Sequence, residues 1–169
     1  MPPGGWQQQA AAAAPQTWQG PLASWGNRVA AQLIDGLIVF AALIPLVGVP
    51  AIGFAVSDAL GIVLIILGGL VWLVFAFMYS TWLMKREAQH NGQTWGKQAM
   101  SIRVTQDNGQ PFDLGSAAMR QIVIIGFGLG IAGSFTAGLA YLVDYLWPLF
   151  DDENRALHDM LAKTHVVKA

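Results

Sequence analysis

The sequence predicts an all-α membrane protein: a bundle of four transmembrane helices, or alternatively three, with a small cytoplasmic β-hairpin between the second and third. Three observations predict it. Of 169 residues, 54% are hydrophobic and 11% charged, against roughly a quarter charged in ordinary soluble domains. The apolar residues are gathered in long blocks, one of them the uncharged run from Leu60 to Leu83. Most Lys and Arg residues fall between the blocks or at their ends. The same composition sets limits. Nine Lys+Arg against ten Asp+Glu leave no basic surplus to neutralise a nucleic-acid backbone. With no cysteine there can be no disulfide framework, thiolate metal site or Cys nucleophile.

Taken in order, residues 1–23 are expected to form a flexible tail. They contain Pro, Gly, Gln and the run Ala10–Ala14 without a charged side chain, and lack the basic start and long apolar middle of a secretory signal. One domain then spans 24–168. Its first helix is placed at about 28–47, because Val29–Val56 carries Asp35 as its sole charge and Pro45 and Pro50 mark where a helix ends or kinks. The Ala51–Ala59 connection has no Lys or Arg and belongs outside. A second helix at 60–84 is long enough to cross about 30 Å of hydrocarbon, with Tyr79 and Trp82, like Trp18 and Trp25, placed as interfacial anchors.

Lys85–Leu114 is a polar interlude. Ala99–Thr105 reads as a strand, Asp107-Asn108-Gly109 as a turn and Gln110 onward as a returning strand, giving a hairpin against the membrane surface. Gln121–Phe150 is apolar again, with Asp144 its one charge. As one helix it would be about 45 Å long, too much for a single crossing without strong tilt. Two crossings, at about 114–133 and 135–150, need a turn near Gly133 and Ser134. Lys85, Arg86, Lys97, Arg103 and Arg120 assign the interlude to the cytoplasm, and Arg155, Lys163 and Lys168 do the same for the end of the chain. An even number of crossings, with both termini cytoplasmic, is therefore preferred. Gly126, Gly130, Ser134 and Gly138 recur every four positions; the spacing suits close helix packing, and equally reflects the frequency of Gly in membrane helices.

The charges inside the blocks carry the functional argument. Arg28 and Asp35 lie seven positions apart on one helix face, with Asp35 roughly 10 Å deeper. A carboxylate there is costly unless paired, protonated or facing water, and Asp144 poses the same problem. Arg28, Arg120 and Arg155 are the expected partners, reaching in by snorkelling. One reading is a buried Arg/Asp clamp that holds helices in register. The rival is a carboxylate that exchanges a proton or binds a monovalent cation, poised between burial and a nearby Arg. Other motifs are weaker. Gly92–Lys97 is one residue too short for a phosphate loop and lacks the Ser or Thr after the Lys. His90, His158 and His165 are too scattered for a metal site and are expected to be solvated. Arg155 and Asp159 are spaced for an i,i+4 pair on a short surface helix.

With these positions in hand, the chain from about Ser24 to Lys168 resembles the RDD family of integral membrane proteins, named for an arginine and two aspartates. Arg28 and Asp35 look like its first two signature residues. Gly92-x-Thr94-x-Gly96-Lys97, Ile102-Arg103-Val104 and the Asn108-Gly109 turn are similar to its central segment, and Arg120 to the arginine that opens its next helix. The close, with Asp144, Trp147, Arg155, Leu157-His158-Asp159 and Thr164–Val167, is similar to its ending, with Asp144 or Asp159 as the second signature aspartate. The resemblance implies a multi-pass protein of the cell membrane whose molecular function is largely unassigned. Some relatives have been linked to sodium/proton exchange, others to assembly or quality control of membrane complexes. The expectation is a non-enzymatic protein with no cofactor or metal and no nucleic-acid partner. The lipid bilayer and other membrane proteins, or a second copy of the chain, are its expected partners, with Na⁺ or H⁺ as cargo in the transport reading.

Overall fold

The computed structural model describes residues 20–169, and most of the predicted tail, residues 1–19, lies outside the described residues. Ser24 caps α1 (Trp25–Ala41) by accepting from the Asn27 N–H. The helix breaks at Ala42–Leu43, earlier than expected, and α2 (Ile44–Val56) takes over. Pro45 sits in the first turn of α2, where its missing N–H costs nothing. It therefore opens a second helix instead of closing the first, and Pro50 is accommodated inside α2. The predicted Ala51–Ala59 connection shrinks to Ser57, whose side chain caps α3 (Asp58–Met84) by accepting from Leu60 N–H. α2 and α3 approach closely at Gly53, where an added Cβ would stand 3.2 Å from Gly61 Cα. Small residues allow that backbone approach in lipid.

Among the described residues, three helical stretches are long and apolar enough to cross a membrane: Trp25–Val56, Asp58–Met84 and Leu114–Phe135. Their outward faces are apolar all round. Val47, Ile52, Val56, Ile66 and Val71 all stand exposed, as suits a helix solvated by hydrocarbon. The third stretch is continuous but not uniform: α5 (Leu114–Ala118), a π-helical segment (Met119–Leu129) and α6 (Gly130–Phe135). The predicted fourth spanning helix is not present. After a turn through Gly138, φ +89°, the chain forms α7 (Leu139–Leu146) and a 3₁₀ turn at Trp147–Leu149. Together these extend about 18 Å, too little for a full crossing. The stripe of small residues does not form one interface. Gly126 faces Phe77 and Gly130 faces Tyr141, whereas Gly138 faces open space in the turn.

Outside the spans the polar segments fold into a cap at one end of the bundle. It contains α4 (Trp95–Ala99), β1 (Ile102–Gln106), α8 (Leu157–Ala162) and β2 (Thr164–Lys168). β1 pairs antiparallel with β2, from Ile102↔Lys168 to Gln106↔Thr164. The local hairpin expected from Gln110 is thus corrected. Its turn forms, with Gly109 at φ +71° and its N–H on Gln106 O. Phe112, however, is taken up by Asn91, whose side-chain oxygen accepts from its N–H at 2.8 Å. β2 offers four consecutive buried residues, Thr164–Val167, and so supplies the better partner for the inward-facing Ile102 and Val104. On the far edge of β2, Leu22 bridges Val167, Ala23 N donates to Val166 O and Lys168 N donates to Pro21 O. Residues 21–23, read from the sequence as the end of the tail, therefore belong to the folded cap. Ala23, Ala31, Met84, Ile102, Val104, Phe112, Ala117 and Val166 form its core.

The segments before α1, between α3 and α5, and after α7 all meet in this cap. The chain from α5 to the 3₁₀ turn must accordingly leave and return to the same end. Three stretches can span, and the shorter α7 with its 3₁₀ turn brings the chain back towards the cap.

Candidate functional site

Where the cap meets the spans, four aspartate or histidine side chains and three cations are buried together. Asp35, 6% exposed on α1, is met by three donors. Tyr79 Oη and Gly96 N donate to Oδ1 at 2.8 Å, and Thr94 Oγ1 donates to Oδ2 at 2.5 Å. The local sequence explains the cradle. Thr94 is the N-cap of α4, so its hydroxyl is held at the helix start, where it also accepts from Lys97 N. Gly96 lies so close to α1 that an added Cβ would stand 2.1 Å from Ala31 O. Gly92, φ +75°, turns the loop back, its N–H on Met84 O and its carbonyl accepting from Val104 N. The segment that resembled a phosphate loop thus wraps a carboxylate of its own chain.

Asp159 is completely buried at the start of α8 and receives both arginines. Arg28 Nη1 donates to Oδ2 and Arg120 Nη2 to Oδ1, each at 2.5 Å. Ala156 N and Thr164 Oγ1 add further bonds. Burial alone would raise the Asp159 pKa, but His158, Arg120 and Arg28 overcome it and hold the carboxyl well below its usual range. Asp144, 2% exposed on α7, accepts from His158 N at 2.8 Å and faces His158 Nδ1 at 2.6 Å. His158 Nε2 lies 3.3 Å from Asp159 Oδ1. Burial opposes the imidazolium, yet Asp159 and Asp144 on its two nitrogens prevail and raise its pKa. Lys97, which places Nζ 3.4 Å from Thr94 Oγ1, is lowered to about 8 by burial and by Arg120.

Several expectations change. Neither Asp35 nor Asp144 pairs with an arginine: Asp35 takes neutral donors, which cost less to bury than a second full charge, and Asp144 takes His158. The arginines converge instead on Asp159, which is not on the surface and is not the partner of Arg155. Arg155 lies before α8 and pairs with Asp151 at 3.1 Å and Glu153 at 2.9 Å, outside the cluster. His158 and His165 are not solvated; His165 is buried against Asp107 at 2.7 Å and Glu153 at 3.1 Å. Tyr79 is no interfacial anchor but a buried ligand of Asp35, whereas Trp82 is exposed with Lys85 Nζ 4.3 Å above its ring. Thr94, Gly96, Tyr79, His158 and Lys97 were not among the expected site residues. The capping Thr two positions before a Gly was the readable signal for the first two.

The cluster borders a cavity of about 110 Å³, on whose walls lie Arg28, Lys97, Arg120, Asp144 and His158. The sequence profile of the RDD family matches residues 22–163. No curated protein and no solved structure matches the chain.

Proposed function

The chain belongs to the RDD family, and from that premise we propose that this multi-pass membrane protein is a non-enzymatic scaffold. Its buried charge cluster fastens the cap to the spans and holds it as a surface for other membrane proteins or a second copy. One observation carries the reading. Between Asp35 and Tyr79 the only ionisable side chain is Asp58, at the far end of the α2–α3 hairpin, so that among the described residues the buried charges gather at the cap end of the helices. Each of the three buried carboxylates is also occupied by donors of its own chain, as a fastening requires. Lys85, Arg86, Arg103, Lys163 and Lys168 accompany the cap, which supports placing it, with both ends of the domain, on the cytoplasmic side of the cell membrane.

The rival reading, a monovalent cation/proton antiporter using Asp35 and Asp144, demands a route past the uncharged half of α3. The two are separated in proteoliposomes. The scaffold reading expects no Na⁺-driven loss of a pH gradient from the parent protein, and lower yield and thermal stability for Asp35→Asn and Arg28→Ala. Cation-dependent flux that Asp35→Asn abolishes would overturn it. Single cysteines at Asp58 and Lys163, in a chain with none of its own, report sidedness by labelling from either face.

A further inference from the structure

We propose that the cavity beside the charge cluster is a binding site for a phosphate oxyanion, with the headgroup of an anionic phospholipid as its occupant. The inference goes beyond the scaffold reading and does not rest on it.

The first ground is charge. Asp144, His158, Asp159, Arg28 and Arg120 form one connected chain of ion pairs. With His158 protonated between its two carboxylates, three cations stand against two anions. Lys97 adds a cation at the cavity wall and Asp35, held only by the neutral donors Tyr79, Thr94 and Gly96, adds an anion, so that four cations stand against three anions. Coulomb attraction in such a desolvated setting favours one further anion. The second ground is orphaned donors. Arg28 spends Nη1 on Asp159, but its Nε and Nη2 are buried with no partner among the described residues. Buried guanidinium donors left unmade are costly, and their fork suits the oxygens of phosphate. The third ground is shape. The space is several times what one water needs, about 10–15 Å³. The lining combines Arg28, Lys97, Arg120 and His158, beside the single carboxylate Asp144, with the apolar Ile125 and Leu129, and the lining residues Gln32, Tyr141 and Tyr145, on α1 and α7, are exposed. Charged and apolar groups around one cavity match a headgroup joined to acyl chains.

The test uses the full chain in neutral detergent, titrated with short-chain phosphatidylglycerol, short-chain phosphatidylcholine and inorganic phosphate, with thermal unfolding as the readout. Phosphatidylglycerol should bind about tenfold more tightly than phosphatidylcholine, the difference expected for one uncompensated charge. Displacement by inorganic phosphate would assign the site to free phosphate as well as to lipid, and no displacement would assign it to lipid alone. If neither phosphatidylglycerol nor phosphate raises the unfolding temperature above the phosphatidylcholine control, the proposal is wrong. Arg28→Lys keeps a cation for Asp159 but removes the two idle donors, and should weaken binding. Should it fail to fold, Gln32→Glu serves: it places a carboxylate in the lining without removing a hydrogen bond the structure describes. It should lower affinity about tenfold while the unliganded unfolding temperature holds. Unchanged affinity in Gln32→Glu would overturn the assignment.

Discussion

Replacing Gly96 by alanine tests the junction between cap and spans at its tightest point. The added Cβ would lie 2.1 Å from Ala31 O, a backbone atom of α1, and 2.8 Å from Asp35 Cγ. Neither neighbour can swing aside as a flexible side chain does, so α4 must retreat by roughly 1 Å to restore ordinary contact. That retreat stretches the 2.8 Å bond from Gly96 N to Asp35 Oδ1 beyond hydrogen-bonding range. Overpacking of a tight site costs about 1–3 kcal/mol and a hydrogen bond to a charged group about 1.5–3 kcal/mol. Gly96→Ala should therefore lose about 3–5 kcal/mol of stability, read from equilibrium unfolding in mixed micelles. In an Asp35→Asn background the loss should be smaller, because Gly96 N then donates to a neutral amide oxygen and the charge-assisted share of that bond is already gone. An unchanged unfolding midpoint for Gly96→Ala, or an equal loss in both backgrounds, would refute this account of the junction.

Other outcomes follow from the same geometry. Asp159→Asn leaves Arg28 and Arg120 buried without their counter-charge and should cost about 3–5 kcal/mol, seen as a collapse in yield and melting temperature; a parent-like melt would mean that the arginines are hydrated. The raised pKa of His158 means the folded state holds its proton more tightly. Its contribution is complete below the unfolded value, near 6.5, and is lost as pH climbs through the folded one. Stability should decline over that window, and His158→Gln should flatten the decline. Lys97, lowered to about 8, acts in the opposite sense: the unfolded chain binds the proton more strongly between about 8 and 10.4, so a rising limb there should vanish in Lys97→Met. Gly53→Leu should cost about 1–3 kcal/mol by forcing α2 from α3, since its Cβ meets Gly61 Cα at 3.2 Å. Gly69→Ala, whose Cβ meets nothing within 4 Å, is the control that should melt like the parent.

The spans were legible because hydrocarbon imposes a one-dimensional rule, a long run without charge, and Leu60–Leu83 obeys it. Where that rule competed with local chemistry, the reading slipped. Pro45 marks a helix boundary in either direction, and only the N-cap position shows that it begins α2. The block 121–150 is apolar enough for two passes, but Gly138 and Pro148 cut its second half to α7 and a single 3₁₀ turn. Charges were harder. The buried status of Asp35 and Asp144 followed from their sequence setting, whereas their partners are separated by long stretches of chain: Thr94 and Gly96 from Asp35, and Asp159 from Arg28. Spacing along one helix suggests neighbours within a few turns and is blind to such pairs. The β1–β2 pairing failed for the same reason, since Asp107-Asn108-Gly109 supplies a sound turn and nothing local shows that the better strand lies at 164–168.

The distance between Arg28 and Asp159, 131 positions along the chain, has a consequence for biogenesis. At ribosomal speeds of about 5–20 residues per second, Arg28 emerges on the order of ten seconds before its carboxylate exists. Through most of that interval the first three helices enter the bilayer with Arg28 uncompensated, and Arg120 joins it only for the last 39 positions. A chain that stops short of Asp159 leaves both guanidiniums without the carboxylate that secures them in the finished fold.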